Sequence, residues 1–244
     1  MSKSALPRTM VAVLLLLIIS LITLAFVALS GSLSGINKKA NTSPITTVII
    51  DAGHGGEDGG AVGDDGSEEK ALNLHIAMIL RDMLQSEGIN VIMTRTEDIL
   101  LYDRNADYEG RKKVLDLEHR VKVSRDNPGA LFVSIHMNAF PQKKYDGLQV
   151  YFPIGDEYSM ELASIIQQNV RSTLQPQNLR KPKGAGSNIY LLDKNPNPAV
   201  LIECGFLSND AECAKLNDPL YRQQLALILY DSIVKFVSSG KESP

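Results

Sequence analysis

Five short apolar runs, none longer than six residues, recur along the chain and constrain its architecture more than any other feature. They occupy residues 46–51 (TTVIID), 90–94 (NVIMT), 130–135 (ALFVSI), 147–152 (GLQVYF) and 198–203 (PAVLIE). Each is too short for a buried helix, is rich in β-branched or aromatic residues and is bounded by turn residues, the pattern of a buried strand. Stretches of helical periodicity separate them, at residues 68–85, 110–125 and 156–174, with a last amphipathic stretch at 219–237. In the first, Leu72, Ile76, Ile79, Leu80 and Met83 share one face, and Gly88 ends the helix. Strands alternating with helices of this length predict an α/β fold. The expected form is a single domain over residues 45–238, with a central mixed, mostly parallel twisted sheet flanked by helices on both faces. Residues 239–244 read as a disordered tail. No internal repeat or second domain is apparent.

The N-terminus carries a different pattern. Residues 10–29 are apolar apart from Ser20 and Thr23, a span of 20 residues that would form a helix of roughly 30 Å, the thickness of a bilayer core. Lys3 and Arg8 lie in the basic segment 1–9, and no acidic residue occurs before Asp51. Basic residues stay on the cytoplasmic side, so the span reads as a transmembrane signal anchor that exports everything downstream of it. A cleaved signal peptide with a site at Ala28-Leu29-Ser30 is the competing reading, and export follows from both. Residues 30–44, rich in Gly, Ser, Asn and Thr, read as a flexible tether.

Composition excludes some functions. With 28 acidic against 25 basic residues the formal net charge is −3, which argues against a nucleic-acid partner. Cys204 and Cys213 are too few for a disulfide framework or a cysteine zinc site and read as partly buried thiols.

Chemistry-bearing side chains stand at the ends of the predicted strands, where α/β sheets place their sites. His54 follows the first strand in Asp51-Ala-Gly-His-Gly-Gly, where flanking glycines permit a sharp turn. That turn lacks the G-x-G-x-x-G order of a phosphate cradle. His136 closes the third strand, in Ser134-Ile-His-Met-Asn138. At 100° per residue Glu69 falls in the sector of Leu72, Ile76, Leu80 and Met83, and an inward carboxylate is costly unless paired or holding a cation. Glu68, on the flank, suits an ordinary first-turn acid. Glu203 ends the strand at 198–203. Two histidines and a glutamate form a zinc set with one open position, and a second glutamate beside the open position can move a proton. His75 and His119 read as surface residues, the latter within the charged stretch 116–120.

On these motifs, together with Glu69-Lys-Ala-Leu-Asn-Leu74 and Leu201-Ile-Glu-Cys-Gly-Phe-Leu-Ser-Asn209, the chain resembles the zinc-dependent N-acetylmuramoyl-L-alanine amidases of the type-3 class from residue 45 to residue 237. The resemblance implies Zn2+ held by His54, Glu69 and His136, with Glu203 catalytic. It implies hydrolysis of the amide between N-acetylmuramic acid and L-alanine in peptidoglycan. Within the class the chain is similar to the germination-type, spore-associated amidases of endospore formers. That implies a role in cortex maturation through muramic δ-lactam formation, on the outer side of the membrane. Only ten residues separate His136 from Gly147, leaving no room for the autoinhibitory helix of some division amidases, so a regulatory or activating protein is expected.

Two other readings use the same residues. One is a zinc carboxypeptidase or endopeptidase acting on the stem peptide; the other is a membrane-tethered wall-binding scaffold without activity. Residues 95–113 read as a long loop on the rim of the site. The basic loop Arg180-Lys-Pro-Lys183 reads either as plain exposed loop or as a contact for anionic wall polymer or a partner protein. Cys204 is expected to point away from Glu203 and to pack.

Overall fold

The computed structural model describes residues 46–102 and 110–239. The segments read as cytoplasmic extension, anchor and tether (1–9, 10–29 and 30–44) lie outside the described residues, as does the tail from residue 240. Among the described residues no helix is long and apolar enough to cross a membrane.

Among the described residues six strands, β1 (Thr47–Ala52), β2 (Asn90–Met93), β3 (Leu131–Asn138), β4 (Gln149–Pro153), β5 (Lys183–Ala185) and β6 (Ala199–Phe206), form one sheet in the order β2-β1-β3-β6-β4-β5. β2, β1, β3 and β6 run parallel; β4 pairs antiparallel with β6, and β5 runs parallel to β4. The sheet is therefore mixed and mostly parallel, as the alternation of elements predicts. Among the described residues six helices accompany it: α1 (Glu69–Ser86), α2 (Lys112–Arg125), α3 (Glu157–Thr173), α4 (Tyr190–Asp193), α5 (Asp210–Asn217) and α6 (Pro219–Ser238).

Strand side chains alternate between two cores. Val48, Ile50, Val133, Ile135, Val200 and Ile202 meet α1, α3 and α6 on one face. Ile49, Phe132 and Leu201 meet Val121 of α2 and Leu191 and Leu192 of α4 on the other. α1 buries Leu72, Ile76, Leu80 and Leu84, the last where the periodicity had placed Met83. Its end is fixed by Gly88 at φ 83°, whose N–H donates to Gln85 O while Ile89 N–H donates to Leu84 O.

Three elements were not legible as such. β5 and α4 fall at or just beyond the basic loop and have three and four residues. α5 has eight residues and little amphipathicity; its signal is Asn209, whose side chain caps Ala211 and Glu212 N–H groups.

The charged stretch 116–120 is not all surface. His119 is exposed, but Asp116 and Arg120 are buried, at 3% and 1% exposure. Arg120 pairs with Asp51 at 2.6 Å and Asp116 at 2.7 Å, tying α2 to β1. Burial alone would raise the Asp51 carboxyl, but the Arg120 guanidinium and the Ser134 hydroxyl, then His136 and Thr94, outweigh it and hold the carboxyl below its ordinary value. A depressed folded-state value contributes stability that is complete above the unfolded value of about 4 and is lost as pH falls through the folded value. Arg120→Met leaves two buried acids without their cation and should destabilise the protein by about 3–5 kcal/mol at pH 7. Urea unfolding should show the wild type losing stability as pH drops below about 4, where Asp51 begins to protonate in the unfolded chain, and Arg120→Met should lack that loss.

Candidate active site

The carboxyl ends of β1, β3 and β6 carry the site. β1 leads into Gly53-His54-Gly55, and His54 adopts φ 61°, a left-handed conformation rare outside glycine. Such a conformation persists only where its surroundings over-determine it, and here three consecutive carbonyls are held. Ala52 O accepts from Arg95 Nε and Arg120 Nη1, both at 2.8 Å. Gly53 O accepts from Arg95 Nη2 at 2.9 Å and Asn73 Nδ2 at 3.1 Å. His54 O accepts from Arg120 Nη2 at 2.8 Å. Gly55 and Asp58 exchange backbone hydrogen bonds at 2.9 and 3.0 Å, closing the turn.

The imidazole of His54 is held on its outer side by Asp58, with Nδ1 2.8 Å from Oδ2. Its Nε2 lies 3.2 Å from Glu69 Oε1. The same oxygen lies 2.9 Å from His136 Nδ1 and accepts from Met137 N–H at 2.9 Å and Asn73 Nδ2 at 3.2 Å. The other Glu69 oxygen accepts from Ala61 N–H at 2.8 Å. Glu69 opens α1 and is 3% exposed, on the inward face that its helical position predicts, while Glu68 is exposed. Two glycines make room for this convergence. A Cβ on Gly53 would stand 2.3 Å from His136 Cε1, and one on Gly60 would stand 2.5 Å from Glu69 Oε2.

Glu203 lies opposite His136 in the β3–β6 ladder. Immediately beyond this pair the register shifts, so that Asn138 meets Phe206; the bulge puts Glu203 and Phe206 on the same side of the sheet. Cys204, between them, is buried in the opposite core, away from Glu203 as expected. Glu212 of α5 holds the bulged segment by accepting from Phe206 N–H at 2.9 Å and Gly147 N–H at 2.8 Å.

Burial dominates the electrostatics of Glu203. Desolvation raises its carboxyl to about 7, with His136 opposing and the Glu69 charge adding to the rise. Its Oε2 and His136 Nε2 are buried and have no hydrogen-bond partner among the described residues. For Glu69 the order is similar but the result opposite: burial would raise its carboxyl, and the hydrogen bonds and charges of His136 and His54 bring it well below the ordinary range.

His54, Glu69 and His136 each offer a ligand atom, and these atoms lie within 4.8 Å of one another. Two imidazoles, one with an orphaned nitrogen, and one carboxylate, with the orphaned Glu203 oxygen beside them, suit a zinc ion with one position left for substrate. A carboxyl that titrates near neutrality can take a proton and return it. A largely apolar cavity of about 220 Å³ adjoins the histidines, lined by Asn188, Ile189, Tyr190 and Leu201 among others.

All four residues singled out in the sequence thus meet at one place. The residues that hold them were missed: Asp58, Asn73, Arg95 and Arg120. Asn73, one helical turn after Glu69, was detectable by spacing; Asp58 lies in a turn, where spacing from His54 marks nothing. Arg95 opens the predicted rim loop, yet it is 3% exposed and serves as a brace. His75 is exposed and accepts from Arg222 Nε at 2.9 Å.

The chain is similar to known proteins along most of its length. The sequence profile of a family described as N-acetylmuramoyl-L-alanine amidase matches residues 48–235. The germination-specific N-acetylmuramoyl-L-alanine amidase of Bacillus subtilis (strain 168) is 36% identical over 197 residues, covering 81% of this chain and 82% of that protein. Among solved structures, the CwlD amidase from Clostridioides difficile, in complex with the GerS lipoprotein, is similar with a TM-score of 0.75 and 41% identity, covering 80% of this chain and 99% of that one. An N-acetylmuramoyl-L-alanine amidase from Clostridium difficile 630 gives a TM-score of 0.70 at 28% identity, over 82% of this chain and 100% of that one.

Because Asp58 fixes the His54 ring through its outer nitrogen, Asp58→Asn should weaken zinc binding roughly 10- to 100-fold. Competition with a chromophoric chelator would measure this, and the thermal midpoint of the metal-free protein should change little.

Proposed function

The chain belongs to the N-acetylmuramoyl-L-alanine amidase family, and from that premise we propose that it is a zinc hydrolase in which Glu203 carries the proton. The buried, unpartnered Oε2 of Glu203 beside the His54, Glu69 and His136 cluster is the observation that supports this most strongly. His54, Glu69 and His136 would hold the ion. When bound, zinc supplies Lewis acidity, which makes water a better nucleophile and a carbonyl a better electrophile.

The remaining work falls to the chain's own groups. Glu203 takes a proton from the attacking water as the new C–O bond forms at the lactyl carbonyl. It then gives that proton to the L-alanine nitrogen as the C–N bond breaks. Asp58 keeps His54 oriented, and the Ala61 and Met137 N–H groups hold the Glu69 carboxylate in place. The products are a muramic acid carboxylate and a peptide with a new L-alanine amino terminus.

The biological setting proposed is spore cortex maturation, in which removal of the stem peptide precedes muramic δ-lactam formation. Its support is the germination-specific relative in Bacillus subtilis. The 20-residue apolar span at 10–29 supports a membrane-anchored protein whose catalytic domain faces outward. A regulatory protein partner is proposed on the ground that the Clostridioides difficile relative was solved with a lipoprotein.

Purified protein loaded with zinc should release peptides beginning with L-alanine from cortex peptidoglycan, detected by mass spectrometry. Glu203→Gln should lower the rate roughly 10²- to 10⁴-fold while retaining zinc. Release of single terminal amino acids or internal peptide fragments would instead indicate a carboxypeptidase or endopeptidase.

A further inference from the structure

The catalytic scheme leaves the basic stretch 180–183 unused, yet the sheet delivers it to the edge of the site. On the side of the sheet that carries Glu203, β6 is followed by β4 and then β5. Glu203 is the register partner of Gln149, and Tyr151 is the partner of Lys183. Two strand spacings therefore separate Glu203 from β5, a distance of roughly 10 Å.

Arg180 is a prepared cation. Its Nε donates to Asp146 O at 2.7 Å and its Nη1 to Gln149 Oε1 at 3.0 Å, and its guanidinium stacks 4.7 Å from the Phe206 ring centroid. These bonds engage two of the five guanidinium N–H groups. Tyr151 OH donates to the same Gln149 oxygen at 3.4 Å, and Lys183 Nζ lies 5.7 Å from the Tyr151 ring centroid. Among the described residues no acidic side chain forms an ion pair with Arg180, Lys181 or Lys183. Most other cations near the site are neutralised: Lys70 by Asp98 and Glu68, Lys112 by Glu57, and Arg120 by Asp51 and Asp116.

A guanidinium fixed by stacking, with donors to spare and no ion pair among the described residues, is suited to bidentate recognition of a carboxylate. The two halves of the substrate differ in this respect. The acyl half is sugar and lactyl group, whose only carboxyl is tied up in the scissile amide. The amine half is a peptide that carries free carboxylates. An extended peptide advances about 3.3–3.6 Å per residue, so roughly 10 Å corresponds to the second or third residue beyond the bond.

We propose that Arg180, assisted by Lys183, is the subsite that binds a carboxylate of the stem peptide and thereby sets the direction of the substrate, with the peptide crossing β4 toward β5. The inference rests on the amidase reading above. Arg180 and Lys183 are specificity-determining residues and take no part in the proton transfers.

The test uses the zinc-loaded full-length protein and two synthetic muramyl tripeptides, one with its peptide carboxylates free and one with them amidated. The wild type should favour the free acid in kcat/KM by roughly tenfold or more, mainly through KM. Arg180→Gln should bring that ratio to within about twofold, and Arg180→Lys should restore part of it. Lys183→Gln, at an exposed position, should reduce the ratio without shifting the thermal midpoint, which keeps the test valid if Arg180→Gln misfolds. Equal hydrolysis of acid and amide by the wild type, or an unchanged ratio in Lys183→Gln and a folded Arg180 variant, would overturn the subsite while leaving the amidase intact. Failure of the wild type to cleave either peptide would instead remove the amidase reading and the subsite with it.

Discussion

The guanidinium of Arg120 is the constraint on which the site depends. It is almost completely buried, between Asp51 of β1 and Asp116 of its own helix, and its remaining donors reach the carbonyls of Ala52 and His54. Arg95 and Asn73 hold Gly53 O, between those two carbonyls. Together they fix a turn that would otherwise relax, because a histidine at φ 61° is strained by of order 1–3 kcal/mol. A buried ion pair is seldom a net source of stability compared with an apolar replacement. Its value here is geometric: it fixes where the His54 ring stands relative to Glu69 and His136.

Much of this was legible in the chain. Five apolar runs alternating with periodic stretches were enough for the layered α/β fold, because strands buried on both faces have no polar alternation to confuse the pattern. The four site residues were legible because each interrupts an apolar pattern. His54 follows a strand and Glu69 occupies a helix face otherwise filled by Leu72, Ile76 and Leu80; His136 and Glu203 close the apolar runs, although the strands themselves continue past them to Asn138 and Phe206. Their convergence follows from the parallel register of β1, β3 and β6, which brings the same ends together.

What was not legible depends on long-range pairing. Arg120 and Asp116 look like a charged helix surface because their partner, Asp51, is distant in sequence; nothing local marks them as buried. Arg95 likewise looks like loop charge until its carbonyl partners are known. The bulge after Glu203 has no local signal beyond Gly205, yet it brings Phe206 to the side of the sheet where Arg180 can stack on it. β5 and α4, at three and four residues, are shorter than any window in which periodicity can be read.

The proposed chemistry depends on two histidines and one glutamate forming a single zinc site at the sheet edge. Zinc K-edge X-ray absorption on the purified protein, with metal content measured in parallel, addresses that directly. The expected result is one zinc per chain with only nitrogen and oxygen neighbours at about 2.0–2.2 Å, two of them showing the scattering pattern of imidazole. A sulfur neighbour at about 2.3 Å, which would require Cys204 or Cys213, or a shell without two imidazoles, would contradict it.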